Sequence, residues 1–284
     1  MGKIGLAAKI THVPSIWMSE MHEKHKGIRE NAIQGLVELG RRGRTHGVDA
    51  YVIVDCHWIT NQGFHINASP RFEGTFTSGE LPHFIKDLNY AYSGDPALAN
   101  LIADEVREAG FRSLAHDDSN IPIEYGTLIP MRHMNGDGAA RVVPIAANQF
   151  ASIDEGRRMG EAMRRAIEAS DRTVGVLASG SMSHAFWPNA VSEAGINDVN
   201  GEFNRQVDLR VLELWRAGDV KSFLSMLPDY AKHCVGECAM IDTAMLFGVL
   251  GWDEYAGAGE VIGEYFGSSG TGQVNVDFNI SHSD

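Results

Sequence analysis

A chain of 284 residues, 44% of them hydrophobic and none in a linker-like tract, has the composition of one globular domain, predicted over residues 1–284. The net charge of −13 argues against non-specific binding to nucleic acid or to an anionic membrane, because both need a basic surface. No apolar stretch approaches the roughly 20 residues that span a bilayer, no secretory signal opens the chain, and three cysteines make no disulfide framework, so we expect a cytoplasmic protein.

Apolar strands alternate with amphipathic helices along the chain. In chain order, short runs rich in β-branched residues predict strands at residues 4–10, 51–54, 111–116, 141–145 and 173–178. Apolar residues at helical spacing predict helices at residues 28–44, 96–108, 152–169, 200–217, 220–226 and 236–250. Residues 64–92 show no sustained period and are predicted to form a long irregular loop, whereas Val274, Val276 and Phe278 alternate as in an edge strand. This order predicts an α/β fold, a three-layer sandwich whose central mixed sheet carries helices on both faces.

Three of the predicted strands end close to a histidine, namely His12, His57 and His184. Any one of them alone is more often an ordinary half-buried histidine than a functional one. The carboxyl ends of parallel strands meet at one edge of a sheet, however, and ligands bind there, so we predict that the three converge. Glu237 opens a predicted apolar helix and is a candidate fourth member. Its spacing fits equally well an acid that is stabilised by the helix dipole.

Two metal sites are compatible with these residue types. Two histidines and one carboxylate on one face leave coordination positions free, an arrangement suited to non-haem iron(II) and dioxygen. A neighbouring neutral histidine can then serve as a general base towards a phenol. The competing site is a Cys3His zinc centre built from Cys56, Cys234, Cys238 and His57. Adjacent residues of an extended segment point to opposite sides, which argues against using both Cys56 and His57.

Seven segments, in this order along essentially the whole chain, resemble the class III extradiol ring-cleaving dioxygenases, the family of the protocatechuate 4,5-dioxygenase β subunit. Within that family the likeness is strongest to the branch that acts on 3,4-dihydroxyphenylacetate. The segments are AKITHVPS at 8–15, DCHW at 55–58, FEG at 72–74, ELPHFI at 80–85, EYGTLIPM at 124–131, LASGSMSH at 177–184 and SSGTGQVN at 268–275.

The resemblance implies a role for each candidate residue. It implies that His12, His57 and Glu237 hold iron(II) and that His184 is the acid–base histidine. Many relatives carry a second active-site histidine where this chain has Tyr125, so we expect Tyr125 to act there as a hydrogen-bond donor. The implied assembly is a homo-oligomer, and the implied reactants are a catechol and dioxygen.

The expected reaction is the extradiol cleavage of 3,4-dihydroxyphenylacetate to 5-carboxymethyl-2-hydroxymuconate semialdehyde. Cleavage of 2,3-dihydroxyphenylpropionate, protocatechuate or 2-aminophenol, a zinc hydrolase, and a non-catalytic partner subunit are the alternatives. The carboxylate of the substrate needs a cation or several donors. The first candidates lie in the irregular loop and are Thr77, Ser78, His83 and Lys86. The second candidates lie further along the chain and are Arg132 or His133.

Overall fold

Strands from the predicted apolar runs build the centre of the molecule. The computed structural model describes residues 1–280, so the last four residues of the predicted domain lie outside the described residues. The strands are β1 (Lys3–Ile10), β2 (Ala50–Asp55), β3 (Phe64–Asn67), β4 (Arg71–Phe76), β5 (Leu88–Ser93), β6 (Ser113–His116), β7 (Arg141–Ala146), β8 (Thr173–Ser179), β9 (Gly259–Val261), β10 (Phe266–Ser268), β11 (Thr271–Gln273) and β12 (Val276–Phe278). The helices are α1 (Ser15–Met21), α2 (Glu30–Thr45), α3 (Pro96–Glu108), α4 (Tyr125–Met134), α5 (Ile153–Ala169), α6 (Glu202–Arg216), α7 (Val220–His233) and α8 (Ile241–Leu250). None of the helices in this range combines the length and the apolar composition that crossing a bilayer requires.

The parallel strands β7, β2, β8 and β1 are neighbours in one large sheet. Across the described residues this sheet has eight strands, in the order β6-β3-β7-β2-β8-β1-β12-β9. β3 runs antiparallel to β7, and β12 runs antiparallel to both β1 and β9, so the sheet is mixed, as predicted. The pairs β4–β5 and β10–β11 form separate hairpins. Because β2, β8 and β1 are parallel neighbours, their carboxyl ends lie side by side.

Alternate side chains of the central strands enter two hydrophobic cores, one on each face of the sheet. In β2, Ala50, Val52 and Val54 pack into the core that also contains α3, α5, α6, α7 and α8. Tyr51 and Ile53 pack into the other core, with α1, α2 and α4. The predicted three-layer α/β sandwich with helices on both faces is therefore confirmed.

Residues 64–92 contain three strands, so the prediction of one long irregular loop was wrong. β3 joins the large sheet, and β4 pairs with β5 from Arg71↔Ser93 to Phe76↔Leu88. Each of these strands has four to six residues, and only two positions of β4 are buried. Pairing with distant segments stabilises such short strands, and a local sequence pattern does not report it. The irregular part that remains is residues 77–87, between β4 and β5.

The C-terminal strand was predicted to be an edge strand, but β12 lies inside the sheet between β1 and β9. Val276 and Phe278 are both buried, and β9 covers the edge with only three residues, too few for its pattern to be recognised. Two helices, α1 and α4, were not predicted. Pro14 directly precedes α1 and Pro130 lies inside α4, and proline normally marks a break in a helix.

A buried ion pair joins β1 to α8. Lys9 donates a hydrogen bond to Asp242, and both side chains are fully excluded from solvent. Gly180, directly after β8, leaves room for the pair, because a Cβ atom there would lie 2.5 Å from the Asp242 Oδ2 atom. Removing two charges from water costs free energy that their mutual contact offsets, so the pair fixes α8 against the strands that end at the same edge.

Replacing Lys9 alone should therefore destabilise the protein strongly. We expect Lys9→Met to lower the free energy of unfolding by about 3–5 kcal/mol, because Asp242 is left buried without its cation. The double variant Lys9→Met/Asp242→Leu removes both charges and should lose clearly less. Urea denaturation followed by circular dichroism measures both values, and equal losses in the two variants would contradict the assigned role of the pair.

Candidate active site at the strand ends

Three histidines that follow neighbouring strands come together at the carboxyl edge of the sheet. His12 follows β1, His57 follows β2 and His184 follows β8. The ring centroids of His12 and His57 lie 4.8 Å apart, in an edge-to-face arrangement. The structure thus brings together the histidines that the sequence places after separate strands.

Glu237 reaches the same edge from a turn with an unusual backbone. A helix was predicted to start at this point, but α8 begins only at Ile241, and residues 238–240 have positive φ angles of 47°, 53° and 61°. This left-handed conformation costs a non-glycine residue roughly 1–2 kcal/mol. Gly236 permits the turn, since a Cβ atom there would lie 2.4 Å from the Met240 Cγ atom. A strained turn of this kind, held by its surroundings, is characteristic of functional sites.

One oxygen of the Glu237 carboxylate faces all three histidines. Its Oε1 atom lies 3.3 Å from the Nε2 atom of His12, 3.2 Å from that of His57 and 3.8 Å from that of His184. The other oxygen accepts a hydrogen bond from the backbone N–H of Ser181. The donor atoms of His12, His57 and Glu237 lie within 4.8 Å of one another, so one small cation can contact all three.

The far side of the His12 ring is held by a serine hydroxyl whose direction can be assigned. The Oγ atom of Ser179 donates its proton to the backbone carbonyl of Gly126 at 2.5 Å. The same oxygen lies 3.0 Å from the Nδ1 atom of His12 and must accept there, because its single proton is already used. His12 therefore carries its proton on Nδ1, and the lone pair of Nε2 is left for a metal.

His57 is positioned by two carboxylates, Asp55 and Glu80. The backbone N–H of His57 donates to the Asp55 Oδ1 atom at 2.8 Å, and the Asp55 Oδ2 atom accepts from Thr127 at 2.7 Å. Gly126 allows this contact, because a Cβ atom there would lie 2.1 Å from the Asp55 Oδ1 atom. The Nδ1 atom of His57 lies 3.4 Å from the Glu80 Oε2 atom, which again leaves Nε2 facing Glu237.

Tyr125 packs directly against His57. The ring centroids lie 3.8 Å apart, and the Tyr125 hydroxyl donates to the Glu80 Oε2 atom at 3.0 Å. Burial, reinforced by the charge of Glu80, raises the pKa of Tyr125 far above its ordinary value. The hydroxyl therefore keeps its proton at neutral pH and is available as a donor.

The surroundings of Glu237 and His184 keep the carboxylate ionised and the imidazole neutral. Burial alone would raise the pKa of Glu237, but the histidines around it hold that pKa well below its usual range. Burial lowers the pKa of His184 by more than the nearby Glu237 carboxylate raises it. Burial also favours neutral His57, but hydrogen bonds to Glu237 and Glu80 outweigh it and raise the pKa of His57 to about 10. Because histidine binds a metal only in its neutral form, a bound cation would displace the proton that His57 carries at this pKa.

The donor set fits a divalent transition metal. Two imidazole nitrogens and one carboxylate oxygen form the group that can hold an ion, and in the described part of the chain no cysteine belongs to such a group. Cys238 instead donates to the backbone carbonyl of Cys56 at 3.2 Å, and the carbonyl of buried Cys234 accepts from the N–H of His184. The structure therefore does not assemble the Cys3His zinc site that includes His57.

His12 and His57 of the metal-binding group line a cleft whose empty space, including the part open to solvent, is about 400 Å³. Its apolar walls are formed by Val13, Pro14, Leu81, Phe84 and Phe186. Its polar lining, besides the three histidines and Tyr125, consists of Ser15, Glu80, Ser181, Ser268, Ser269 and Thr271.

The side chains predicted to bind the carboxylate of the substrate do not line this cleft. His83 and Lys86 are exposed in the loop between β4 and β5. Arg132 lies 4.9 Å above the Trp17 ring and donates to Glu20 at 3.2 Å. Contact of His83, Lys86 or Arg132 with the substrate stays a prediction.

Asp208, which sequence reasoning missed, anchors the segment before His184. It is fully buried and accepts hydrogen bonds from the hydroxyls of Ser183, Tyr230 and Tyr265 at 2.7, 2.7 and 2.5 Å. It also accepts from the backbone N–H of Ser183. One feature of the sequence indicates its burial. Asp208 lies three and four residues before two apolar residues of α6 that are buried, and this helical spacing places it on the same face.

Removing the hydroxyl that orients His12 should weaken metal binding. For Ser179→Ala we expect a metal dissociation constant about 10 to 100 times higher, because the Nδ1–H group of His12 loses its acceptor. Titration of the metal-free protein with a divalent metal, in competition with a coloured chelator, gives this constant. Ser225→Ala, which removes an exposed hydroxyl on α7, is the control. Identical constants for the two variants would show that Ser179 has no such role.

Comparisons with known proteins identify relatives of this chain. A family model described as the catalytic LigB subunit of aromatic ring-opening dioxygenase matches residues 6–279. A 3,4-dihydroxyphenylacetate 2,3-dioxygenase from Escherichia coli is 49% identical over 260 residues, which cover 90% of this chain and 94% of the relative. A 2-aminophenol 1,6-dioxygenase beta subunit from Pseudomonas sp is 24% identical over 248 residues, 82% of this chain and 78% of the relative. The crystal structure of an uncharacterized Escherichia coli K12 protein shares the fold, with a TM-score of 0.59 and 17% identity over 87% of this chain and 92% of that chain. The chain therefore belongs to the family of catalytic LigB subunits of aromatic ring-opening dioxygenases, the extradiol class that its sequence motifs resemble.

Proposed function

We propose that this protein is an iron(II)-dependent dioxygenase that cleaves the ring of 3,4-dihydroxyphenylacetate beside its two hydroxyl groups. The expected product is 5-carboxymethyl-2-hydroxymuconate semialdehyde. The observation that carries the proposal is the convergence of His12, His57 and Glu237 at the cleft, in a chain 49% identical to a relative that bears this activity in its name.

Iron(II) is the metal that we assign to His12, His57 and Glu237. Two imidazoles and one carboxylate are the donor set that non-haem iron(II) oxygenases use, and they leave coordination positions free. When bound at these residues, iron(II) would supply coordination positions for a catechol and for dioxygen. Fixing both reactants in this way removes much of the entropic part of the barrier.

His184 is the residue that we assign to proton transfer. It lines the cleft, and its Nε2 atom lies 3.8 Å from the Glu237 Oε1 atom, so the imidazole stands beside the metal-binding group. Because burial lowers its pKa, the imidazole is neutral at pH 7 and can accept a phenolic proton from the catechol. The imidazolium that results can return the proton to an oxygen atom as the ring opens.

Tyr125 is the second group that we place in the reaction, as a neutral hydrogen-bond donor. Its proton is directed at Glu80, which also accepts from His57, so the tyrosine is held in position before the substrate arrives. A small rotation of the hydroxyl would let it donate to a substrate oxygen. Glu80 is half exposed, and losing this hydrogen bond would therefore cost it little.

The lining of the cleft suits an aromatic ring. Pro14, Phe84 and Phe186 provide apolar surfaces in the cleft that the histidines also line. The proposal also includes a homo-oligomer, the assembly that the family resemblance implies. It includes a cytoplasmic location, consistent with cysteines that are all free.

Iron loading followed by a substrate panel tests the proposal. The protein is loaded with iron(II) without oxygen, and oxygen uptake is then measured with 3,4-dihydroxyphenylacetate, protocatechuate, 2,3-dihydroxyphenylpropionate and 2-aminophenol. We expect the fastest uptake and a yellow ring-opened product with 3,4-dihydroxyphenylacetate. Faster cleavage of another member of the panel would contradict the substrate assignment, and no uptake with any member would favour a non-catalytic subunit.

In the same assay, His184→Phe should reduce turnover by about 10²–10⁴-fold, because proton transfer loses its catalyst. Iron content and anaerobic substrate affinity should stay close to those of the wild type. His233→Phe changes an exposed histidine at the end of α7 and serves as the matched control. Unchanged turnover in the His184 variant would remove this residue from the reaction.

A further inference from the structure

Arg29 is a buried cation whose charge has no carboxylate partner. Its side chain is only 5% exposed, and within residues 1–280 no carboxylate forms an ion pair with it. Burial lowers the pKa of Arg29 to about 10, so the guanidinium remains charged at neutral pH. A buried arginine is normally paired, because an uncompensated charge is costly to remove from water. The missing negative charge points to an anionic ligand nearby.

The polar contacts of Arg29 fix its position without neutralising it. The Nε atom donates to the Ser15 hydroxyl at 2.9 Å, and Nη2 donates to the backbone carbonyl of Ile196 at 3.1 Å and to the Asn197 side chain at 3.0 Å. The guanidinium also lies 5.0 Å from the centre of the Phe266 ring. All of these partners are neutral.

A chain of two hydroxyls links Arg29 to the cleft. The Ser15 oxygen accepts from Arg29, so its own proton is free to donate, and the Ser268 hydroxyl lies 2.9 Å away. If Ser268 accepts that proton, its own proton is directed to a further acceptor. The positive charge of Arg29 favours this direction, because it repels the hydroxyl protons of the two serines. Both serines line the cleft, so in this direction the Ser268 hydroxyl is a donor at the wall of the cleft.

The hairpin between β10 and β11 holds Ser268 in place. Ser269 and Gly270 form its two-residue turn with φ angles of 55° and 101°, as in a type I′ turn. The backbone N–H of Ser269 donates to the carbonyl of Ile196, which also accepts from Arg29. The carbonyl of Ile196 is therefore an anchor that Arg29 shares with the residue next to Ser268.

The charge of the cleft also favours an anion at the serines. Glu80 lines the same cleft beside His57 and Tyr125, where it repels a carboxylate. Ser15 and Ser268 lie next to a cation instead. A ring that carries both a catechol and a carboxylate is thus favoured in one orientation.

We propose that Arg29, acting through Ser15 and Ser268, is the positioning residue that selects catechols with an anionic side chain. The inference rests on the proposed function and assigns the carboxylate subsite of the same cleft. Arg29 does not touch the ligand; the serine hydroxyls donate to the carboxylate, and Arg29 sets their direction and supplies the balancing charge.

Paired substrates with and without the carboxylate test this inference. The iron-loaded wild type is compared with Arg29→Met, Arg29→Lys and Ser15→Ala, using 3,4-dihydroxyphenylacetate and neutral 4-methylcatechol. We expect Arg29→Met and Ser15→Ala to raise the KM for 3,4-dihydroxyphenylacetate by about 10 to 100 times, the effect of losing a hydrogen bond to a charged group. The kcat and the KM for 4-methylcatechol should change by less than about threefold, and Arg29→Lys should restore part of the loss, since it keeps the charge.

Binding without turnover separates recognition from folding. Anaerobic calorimetry gives the affinities of both catechols, and only that of 3,4-dihydroxyphenylacetate should fall. Ser15→Ala keeps the contacts of Arg29 with Ile196 and Asn197, so it remains informative if Arg29→Met folds poorly. Arg158→Met is the matched control, because Arg158 also stacks on an aromatic ring, 4.4 Å from that of Phe111, but donates to the backbone carbonyl of Ala109 and not to a residue that lines the cleft.

Two results would overturn the inference. Equal weakening of both catechols would assign Arg29 a purely structural role. Preference for 3,4-dihydroxyphenylacetate that survives in Arg29→Met and Ser15→Ala but disappears in Lys86→Met would move recognition to the loop between β4 and β5. A wild type that binds but opens no catechol would contradict the proposed function, and the anaerobic affinities would still decide the role of Arg29.

Discussion

The interaction on which the rest of this structure depends is the contact of one Glu237 oxygen with His12, His57 and His184. A buried carboxylate is costly unless positive or polar groups surround it, and here they come from three separate strand ends. The left-handed turn at residues 238–240 is the local cost of bringing the carboxylate to that edge. The strain is tolerated because α8 is fixed to the sheet on the following side, through Asp242 and Lys9.

Around this contact, hydrogen-bond direction determines what each group can do. Ser179 gives its only proton to a carbonyl, so it can only accept from His12 and leaves Nε2 of that ring free. In the proposed carboxylate subsite, Ser15 accepts from buried Arg29 and donates to Ser268, and the proton of Ser268 is then directed into the cleft. Hydrogen-bond direction therefore matters at both ends of the cleft. The metal-binding group suits a cation, and Ser15 and Ser268 suit an anion.

Much of this could be predicted from the sequence, because β2 and its neighbours are continuous apolar runs and the histidines follow them directly. The α/β class, the central strands and the three histidines at strand ends come from such local patterns, whereas the ligand set of His12, His57 and Glu237 came from the family resemblance. The hairpin of β4 and β5 and the inner position of β12 could not be predicted, since long-range pairing decides them. The burial of Arg29 could not be predicted either. Its partners Ile196 and Asn197 are distant in the sequence and carry no negative charge, and the residues next to Arg29 do not indicate them.

The most direct test of the central claim is a crystal structure of the iron(II)-loaded protein with anomalous scattering measured at the iron edge. The account predicts one strong anomalous peak bounded by the Nε2 atoms of His12 and His57 and by the carboxylate of Glu237. A peak elsewhere, such as beside Cys56 and Cys238, or a fully loaded protein in which these three side chains do not contact the metal, would contradict it.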